Sequence, residues 1–173
     1  HIAREKNILF HTDAVQAIGK IPVNVIKNNV DLLSLSAHKI YGPKGIGALY
    51  IKKGTKLTKL MHGGYHEYNL RAGTENVAGI VGLGKAAELA EKELDKEAEF
   101  LATLRDKLQK GIEKFIPDTK LNGHPVKRLP NTLNISFEYL EGDSRILSLD
   151  MEGIAVSMSS ACPPMILTPS HVL

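Results

Sequence analysis

Cysteine is nearly absent from this 173-residue sequence, whose single thiol is Cys162. One cysteine excludes an internal disulfide and any metal site built from several cysteines. No apolar run approaches the roughly 18 to 20 residues of a membrane span, and the first residues contain no apolar signal-peptide core. We therefore expect a cytoplasmic protein without a membrane partner.

An excess of charge of one sign is also lacking. The 22 Lys and Arg residues nearly balance the 19 Asp and Glu residues, and the formal net charge is +3. The two signs are interspersed along the chain, so the charge does not by itself support a nucleic-acid surface. The remaining composition, with 43% hydrophobic and 24% charged residues, is that of an ordinary soluble protein.

The two ends of the sequence suggest a section of a longer protein. The chain begins at His1 and not at a methionine, and residues 169–173 resemble the start of a helix that has no continuation. We expect further residues of the complete protein on both sides.

Short apolar runs alternate with turns in the first third of the chain. Residues 7–11 and 31–37 are predicted strands, and the connection between them can hold short helices at 14–19 and 25–29. This order is typical of a parallel α/β sheet. A third strand at 45–51 follows a turn that is too short for a helical crossover.

The rest of the chain predicts a loop, a long helix and a mixed unit. Residues 52–73 lack periodicity, whereas a helix is predicted from about 76 to 115. Between residues 94 and 115, apolar residues recur at every third or fourth position, as on one face of a helix. The last part indicates an α+β unit with a strand at 132–137, a helix at 144–151 and a strand at 154–157. We place a domain boundary inside the long helix, which gives domains 1–92 and 93–173.

Polar side chains follow the first two predicted strands. Asp13 closes the first strand, and Gln16 comes three residues later. Ser36, His38 and Lys39 follow the second strand. Ligands of open α/β sheets bind at the carboxyl ends of the strands, so these side chains are candidates for a site. Singly, each has an ordinary explanation as a turn residue, a helix cap or a solvated charge.

Together these side chains match the needs of pyridoxal 5′-phosphate. This cofactor bonds to a lysine, pairs its pyridinium nitrogen with a carboxylate and needs donors around its phosphate. Lys39 and Asp13 can supply the first two functions, and Gln16 can donate to the ring oxygen. Ser36 and His38 can donate to the phosphate, which costs little desolvation where several donors converge.

Two other patterns compete with this interpretation. The glycines of residues 42–47 follow the order G-x-x-G-x-G, which is neither the dinucleotide fingerprint nor a Walker A loop. They are better explained as room for tight turns and close backbone approach beside Lys39. His62 and His66 have the spacing of a zinc pair on a helix, but the two glycines between them disfavour that helix. We predict neither a nucleotide site nor a resident metal.

The residues around the lysine resemble those of a known family. SAHKIYGPKG at 36–45 and HTDAVQ at 11–16 closely resemble the cysteine desulfurases of the NifS/IscS type, in the class V aminotransferase group. The resemblance continues through RAGTEN at 71–76, SSAC at 159–162 and PSHVL at 169–173. It implies the α/β fold of pyridoxal-phosphate-dependent transferases of fold type I, seen here as part of a large-domain mixed sheet followed by a small α+β domain.

The resemblance also implies a role for each candidate residue. Lys39 would hold the cofactor covalently, Asp13 would pair with the pyridinium nitrogen and Gln16 would contact the ring oxygen. Ser36 and His38 would bind the phosphate. Lys39 and His38 are both candidates for carrying the substrate proton.

Thr74 would complete the phosphate site from the partner subunit of a homodimer. It precedes the long predicted helix, where free backbone N–H groups and the helix dipole favour an anion. The same position is equally compatible with a helix N-cap.

Cys162 is the residue on which the functional hypothesis depends. A lone cysteine is more often buried and inert than reactive. The serines before Cys162 and the prolines after it, however, form neither a good helix nor a good strand and predict an accessible loop. The resemblance implies that Cys162 takes sulfur from L-cysteine as a persulfide, releases L-alanine and delivers sulfur to an acceptor or iron–sulfur scaffold protein, with at most a transient iron–sulfur contact of its own.

Two alternatives remain open on the sequence. One is a selenocysteine lyase or another class V enzyme. The other is a degenerate relative that serves as a dimerisation or sulfur-transfer platform, against which the presence of both Lys39 and Cys162 argues. The family's ring-stacking histidine and the arginine for the substrate carboxylate fall outside this chain, so we expect the isolated fragment to be inactive.

Overall fold

The computed structural model describes residues 1–140 and 142–156. Contacts between Cα atoms divide the chain into two compact units. Unit 1 contains His1–Ala102 and Leu129–Asn131, and unit 2 contains Thr103–Arg128 and the described residues from Thr132 onward. No helix of the described part is long and apolar enough to cross a membrane.

A mixed three-stranded sheet is the centre of unit 1. A single helical turn, α1 (Ile2–Glu5), precedes its strands, which are β1 (His11–Asp13), β2 (Leu32–Ser36) and β3 (Gly47–Ile51). The strand order is β1-β2-β3, with β1 parallel to β2 and β3 antiparallel to β2. A core of Ala14, Val30 and Leu33 packs beside the sheet. The predicted α/β class is confirmed.

The first strand begins later than predicted. Residues 7–11 were expected to be extended, but the parallel ladder starts at the pair of His11 and Leu32. The backbone N–H of Phe10 donates to the side-chain oxygen Oδ2 of Asp31 at 3.0 Å. In a strand ladder, a backbone carbonyl would accept this bond. The strand therefore begins after Phe10 and runs from His11 to Asp13.

The prediction of two short helices between β1 and β2 is wrong. Both segments form hydrogen-bonded turns, the first held by bonds from Ala17 N and Ile18 N to the carbonyl of Ala14. Gly19, one residue before the end of the first turn segment, and Asn29, at the end of the second, both lie in the left-handed region, at φ 73° and 53°. The chain reverses before a second helical turn can form.

The connection from β2 to β3 is tight, as predicted. A four-residue 3-10 helix, Ala37–Ile40, follows β2 directly. Tyr41 then ends it in the left-handed region at φ 63°. The chain returns as β3, which pairs Gly47 with Ser36 in antiparallel register.

The long helix predicted from apolar periodicity is confirmed as α3 (Val77–Phe115), which has 39 residues. The segment before it is irregular, as predicted, apart from the single turn α2 (His66–Asn69). Inside α2, Glu67 and Tyr68 lie in the left-handed region, at φ 48° and 55°. This turn is therefore not a regular helix.

Unit 2 pairs two short strands and ends in a helix. An antiparallel ladder joins β4 (Thr119–Leu121) to β5 (Ile135–Phe137), and α4 (Gly142–Met151) follows. β4 was not predicted, because three residues are too short to show alternation. The strand predicted at 132–137 is confined to its last three residues. Residues 154–156 form no strand, and Ser157 lies outside the described residues.

Candidate functional site

The sheet brings four of the predicted site residues to one edge. β1 and β2 are parallel, so their carboxyl ends point the same way. Asp13 is the last residue of β1 and Ser36 the last residue of β2. His38 and Lys39 follow at once in the 3-10 helix. The edge therefore carries a carboxylate, a hydroxyl, an imidazole and an amine.

Asp13 combines its ordinary role in a turn with an available oxygen. Asp13 Oδ1 accepts a hydrogen bond from Val15 N at 2.9 Å, which closes a local turn directly after the strand. The side chain is exposed, and Oδ2 has no partner among the described residues. The turn thus fixes the carboxylate while one of its oxygens stays free to accept. Gln16 lies exposed in the next turn.

Ser36 and His38 form a pair. Ser36 Oγ lies 2.8 Å from His38 Nδ1. If His38 Nδ1–H donates to the serine oxygen, the serine hydroxyl is left to donate to an anion. If the hydroxyl instead donates to Nδ1, the proton is on Nε2, which then becomes the free donor. Either arrangement offers one of the donors that a phosphate requires.

Lys39 is held by its neighbours but has a free amine. Ala37 and Ile40 on either side are buried, whereas Lys39 itself is half-buried. Its Nζ makes no hydrogen bond or ion pair within the part of the chain that the structure describes. A lysine fixed at its backbone and unpaired at its amine is suited to bond a ligand.

The glycines after Lys39 serve close packing, as predicted. A Cβ atom on Gly42 would lie 2.9 Å from Ala37 Cβ and 3.0 Å from Ala86 Cβ of α3. Gly45 adopts φ +79°, a conformation that favours glycine.

Thr74 lies apart from these residues in the hydrogen-bond network. It is exposed, and no described hydrogen bond joins it to the sheet edge. It is not the N-cap of α3, because Asn76 Oδ1 accepts from Gly79 N at 3.0 Å and takes that role. The Thr74 hydroxyl remains free, and its contact with phosphate stays a prediction.

His66 has a structural contact inside its own loop. His66 Nδ1 accepts a hydrogen bond from Gly73 N at 3.3 Å. Its ring also fills the space beside Gly64, where a Cβ atom would lie 2.6 Å from His66 Cε1. Cys162 lies outside the described residues.

Sequence reasoning missed three residues that surround the lysine turn. Lys20 and Glu97 form an ion pair with Nζ 2.5 Å from Oε1, and the Tyr41 hydroxyl donates to the same oxygen at 2.9 Å. Tyr41 lies within the sequence motif around Lys39, so it could have been selected as a candidate from the sequence. The other two are 77 positions apart, and no local pattern connects them.

The fold is that of the pyridoxal-phosphate-dependent transferases of fold type I. The solved structure of a NifS-like protein from Rickettsia africae superposes with a TM-score of 0.86 and is 32% identical, covering 92% of this chain and 44% of that one.

The Aminotransferase class-V family matches residues 1–172, and the chain belongs to this family. Cysteine desulfurase IscS of Dictyoglomus turgidum is 62% identical over 99% of this chain and 44% of its own length. The protein of the same name from Methanosarcina thermophila is 58% identical over 99% of this chain and 42% of its own length. The chain thus spans less than half the length of these relatives.

This family depends on pyridoxal 5′-phosphate, and the residues at the sheet edge fit that group. The amine of Lys39 and Oδ2 of Asp13, both without a partner among the described residues, would provide the covalent anchor and the partner for the ring nitrogen. The pair of Ser36 and His38 offers a donor for the phosphate. Gln16 is the remaining candidate, for the ring oxygen.

Proposed function

We propose that the complete protein is a pyridoxal-phosphate-dependent cysteine desulfurase that converts L-cysteine to L-alanine and leaves the sulfur on Cys162. One observation carries the proposal: Asp13 and the unpaired Lys39 follow neighbouring parallel strands and lie at the same sheet edge. The similarity to two proteins named cysteine desulfurase IscS supports the choice of reaction.

The cofactor, when bound, supplies an acceptor for the electron pair that is released when a bond to the substrate Cα breaks. The residues of this chain hold and complement it. Asp13 Oδ2 would favour a proton on the ring nitrogen of the bound cofactor through its negative charge. Lys39 Nζ and the imidazole of His38 are the two candidate groups for moving the Cα proton.

The sulfur step is balanced without an external oxidant. The thiolate of Cys162 attacks the substrate sulfur, a sulfur–sulfur bond forms and the substrate Cβ–S bond breaks. The electron pair of that bond stays with carbon, which is protonated to give L-alanine. The sulfur is oxidised to the sulfane level as the carbon is reduced, and the product on the protein is a persulfide.

We further propose a homodimer in which Thr74 of each subunit completes the phosphate site of its partner. The segment before Thr74 supports a partner surface, because Leu60 and Tyr68 are 91% and 98% exposed there. Exposed apolar patches are typical of interaction sites, and we assign these two side chains to one. A sulfur-acceptor or iron–sulfur scaffold protein as a second partner, and a cytoplasmic location, complete the proposal.

The test uses the full-length protein with two substitutions and one control. Lys39→Ala should abolish the visible absorption of the lysine-bound cofactor, whereas Lys44→Ala, an exposed lysine five residues later, should preserve it. Cys162→Ser should preserve the absorption and stop sulfide release from L-cysteine. We expect each loss to be at least about a hundredfold, as for removal of a covalent catalyst.

Three outcomes would contradict the proposal. Retention of the absorption band in Lys39→Ala would remove Lys39 from the site. Undiminished sulfide release by Cys162→Ser would show that Cys162 is not the acceptor. Equal alanine formation from selenocysteine and cysteine, or from unrelated amino acids, would favour a different class V activity.

A further inference from the structure

The turn that carries Lys39 is tied to helix α3 by three side chains, named here the Glu97 cluster: Lys20, Tyr41 and Glu97. Lys20 Nζ and the Tyr41 hydroxyl both donate to Glu97 Oε1, at 2.5 and 2.9 Å. Lys20 Nζ also lies 5.0 Å from the centroid of the Tyr41 ring, within reach of a cation–π interaction. The three contacts close a triangle.

The charges of this cluster depend on one another. Lys20 is only 7% exposed, so its ammonium group has lost most of its water and needs a partner. Burial by itself would raise the pKa of Glu97, but the hydrogen bonds from Lys20 and Tyr41 outweigh that effect and hold the pKa below its ordinary value. Glu97 is therefore ionised at neutral pH and accepts from both neighbours.

The cluster joins the two turns that carry the predicted cofactor residues. Lys20 ends the turn segment that begins directly after Asp13. Tyr41 ends the 3-10 helix that contains Lys39. Glu97 lies at the middle of α3 and binds both. The distance between the Asp13 turn and the Lys39 turn is thereby set by a third element.

Packing beside the cluster leaves little room for independent movement. A Cβ atom on Gly19 would lie 2.7 Å from Ile40 Cγ2 and 3.4 Å from Ala90 Cβ. The backbone of the Asp13 turn therefore lies directly against the Lys39 turn and α3. Gly42 N also donates to Ala37 O at 2.9 Å, which closes the lysine turn on itself.

We propose that Glu97 is a positioning residue of the cofactor site, acting through Tyr41 and Lys20 to fix the turn of Lys39 relative to the turn of Asp13. The inference rests on that part of the proposed function in which Lys39 and Asp13 hold the cofactor. It does not depend on sulfur transfer. Glu97 itself touches neither Lys39 nor Asp13 in the described contacts.

The experiment compares Tyr41→Phe and Glu97→Gln with the wild-type full-length protein. Tyr41→Phe removes one hydroxyl at the surface and keeps the ring, so it does not threaten folding. The matched control is Glu88→Gln on the same helix, which removes a carboxylate paired with Lys85 and Lys92 in an exposed setting. Exposed pairs of this kind contribute little to stability.

Two measurements are made on each variant. In the cofactor-free protein, hydrogen exchange of the backbone amides of residues 37–42 should accelerate by about three- to tenfold for Tyr41→Phe and Glu97→Gln. In the loaded protein, dissociation of pyridoxal phosphate should accelerate by a similar factor, and the pH midpoint of the visible band should shift. Glu88→Gln should match the wild type in both.

The double variant tests whether Glu97 acts through Tyr41. If it does, Tyr41→Phe combined with Glu97→Gln should be no worse than the more severe single variant. If the effects of the two substitutions were additive, Tyr41 and Glu97 would act independently, and the proposed action through a shared contact would be overturned. A lower melting temperature with an unchanged dissociation rate and pH midpoint would reduce the cluster to a purely structural role and overturn the inference.

Failure of this inference can be told from failure of the proposed function. A wild-type protein with no visible band would overturn both, because both need the cofactor at Lys39. A normal band that responds to Glu97→Gln, but no alanine formation from L-cysteine, would overturn only the desulfurase activity. A normal band that does not respond to either variant would overturn only the positioning role.

Discussion

At the scale of single residues, Asp31 shows how a side chain aligns strands that position a site at their other end. It begins the approach to β2 and is only 9% exposed. One carboxylate oxygen accepts from Phe10 N at 3.0 Å, before β1, and the other accepts from Lys52 Nζ at 3.2 Å, after β3. The hydrogen bond from Phe10, and then that from Lys52, hold the pKa of Asp31 below its ordinary value of 3.8.

This lowered pKa predicts an acid-sensitive contribution to stability. A carboxylate whose pKa is lower in the folded than in the unfolded protein stabilises the fold above its ordinary pKa, and this contribution is lost as the pH falls through the folded value. Asp31→Asn should therefore lower the melting temperature of the full-length protein at neutral pH by a few degrees. The difference from the wild type should narrow below about pH 4.

Thermal unfolding across this pH range measures the effect, and Asp95→Asn, at an exposed position of α3, is the control. A difference that stays constant on acidification would show that the ionised form of Asp31 is not what the fold stabilises.

At the scale of elements, the spacing of small residues on α3 determines how the helix meets the lysine turn. Gly82 faces Pro43, and Ala86 faces Gly42. A Cβ atom on Gly82 would lie 2.5 Å from Pro43 Cγ, whereas one on Gly84 would meet nothing within 4 Å. Packing therefore requires a glycine at position 82 but not at position 84.

The two glycines give a matched pair of substitutions. Gly84→Ala should stabilise the protein by about 0.5–1 kcal/mol, because alanine loses less backbone entropy in a helix. Gly82→Ala gains the same term but must displace the rigid proline ring, and should be destabilising by about 1–3 kcal/mol net. Denaturant unfolding of the full-length variants measures both values. Equal stabilisation by the two would contradict the contact with Pro43.

Long elements were predicted from the sequence more accurately than short ones. α3 was found because seven apolar positions repeat with helical period over its C-terminal half, between residues 94 and 115. The segments at 14–19 and 25–29 also have helical composition, yet they are turns, since Gly19 and Asn29 reverse the chain and tertiary packing decides segments this short. β4 escaped prediction for the same reason, because it is defined by its partner β5.

At the scale of the whole molecule, the described chain leaves apolar side chains exposed that a complete assembly would cover. Leu60 and Tyr68 both lie in the irregular segment before α3. Tyr68 also has a left-handed backbone at φ 55°, a conformation with a cost that the surroundings must offset. A partner surface would account for both features.

The proposed homodimer predicts that this segment is buried between subunits. Tyr68→Glu in the full-length protein should convert the dimer to a monomer, because a desolvated carboxylate would face an apolar surface. Loss of Thr74 from the partner site should lower cofactor occupancy at the same time. Sedimentation and the visible absorption measure the two effects. Ile26→Glu, at another exposed apolar position in a turn, is the control. An unchanged dimer in Tyr68→Glu would exclude this surface.

The sequence by itself determined the α/β class, the long helix and the family, and it selected the candidate site residues, because each of these depends on residue type and on spacing along the chain. Asp13, Ser36, His38 and Lys39 could be selected since strand ends can be predicted locally and cofactor chemistry restricts which side chains qualify.

Only the tertiary structure decided how these residues are held. The pairing of Ser36 with His38, the capping of α3 by Asn76 and not Thr74, and the Glu97 cluster all depend on which atoms meet after the chain has folded. Lys20 and Glu97 are 77 positions apart, and their contact exists because α3 packs on two turns at once. Contacts of that range leave no periodic trace in a sequence, so their physical cause is visible only in the folded chain.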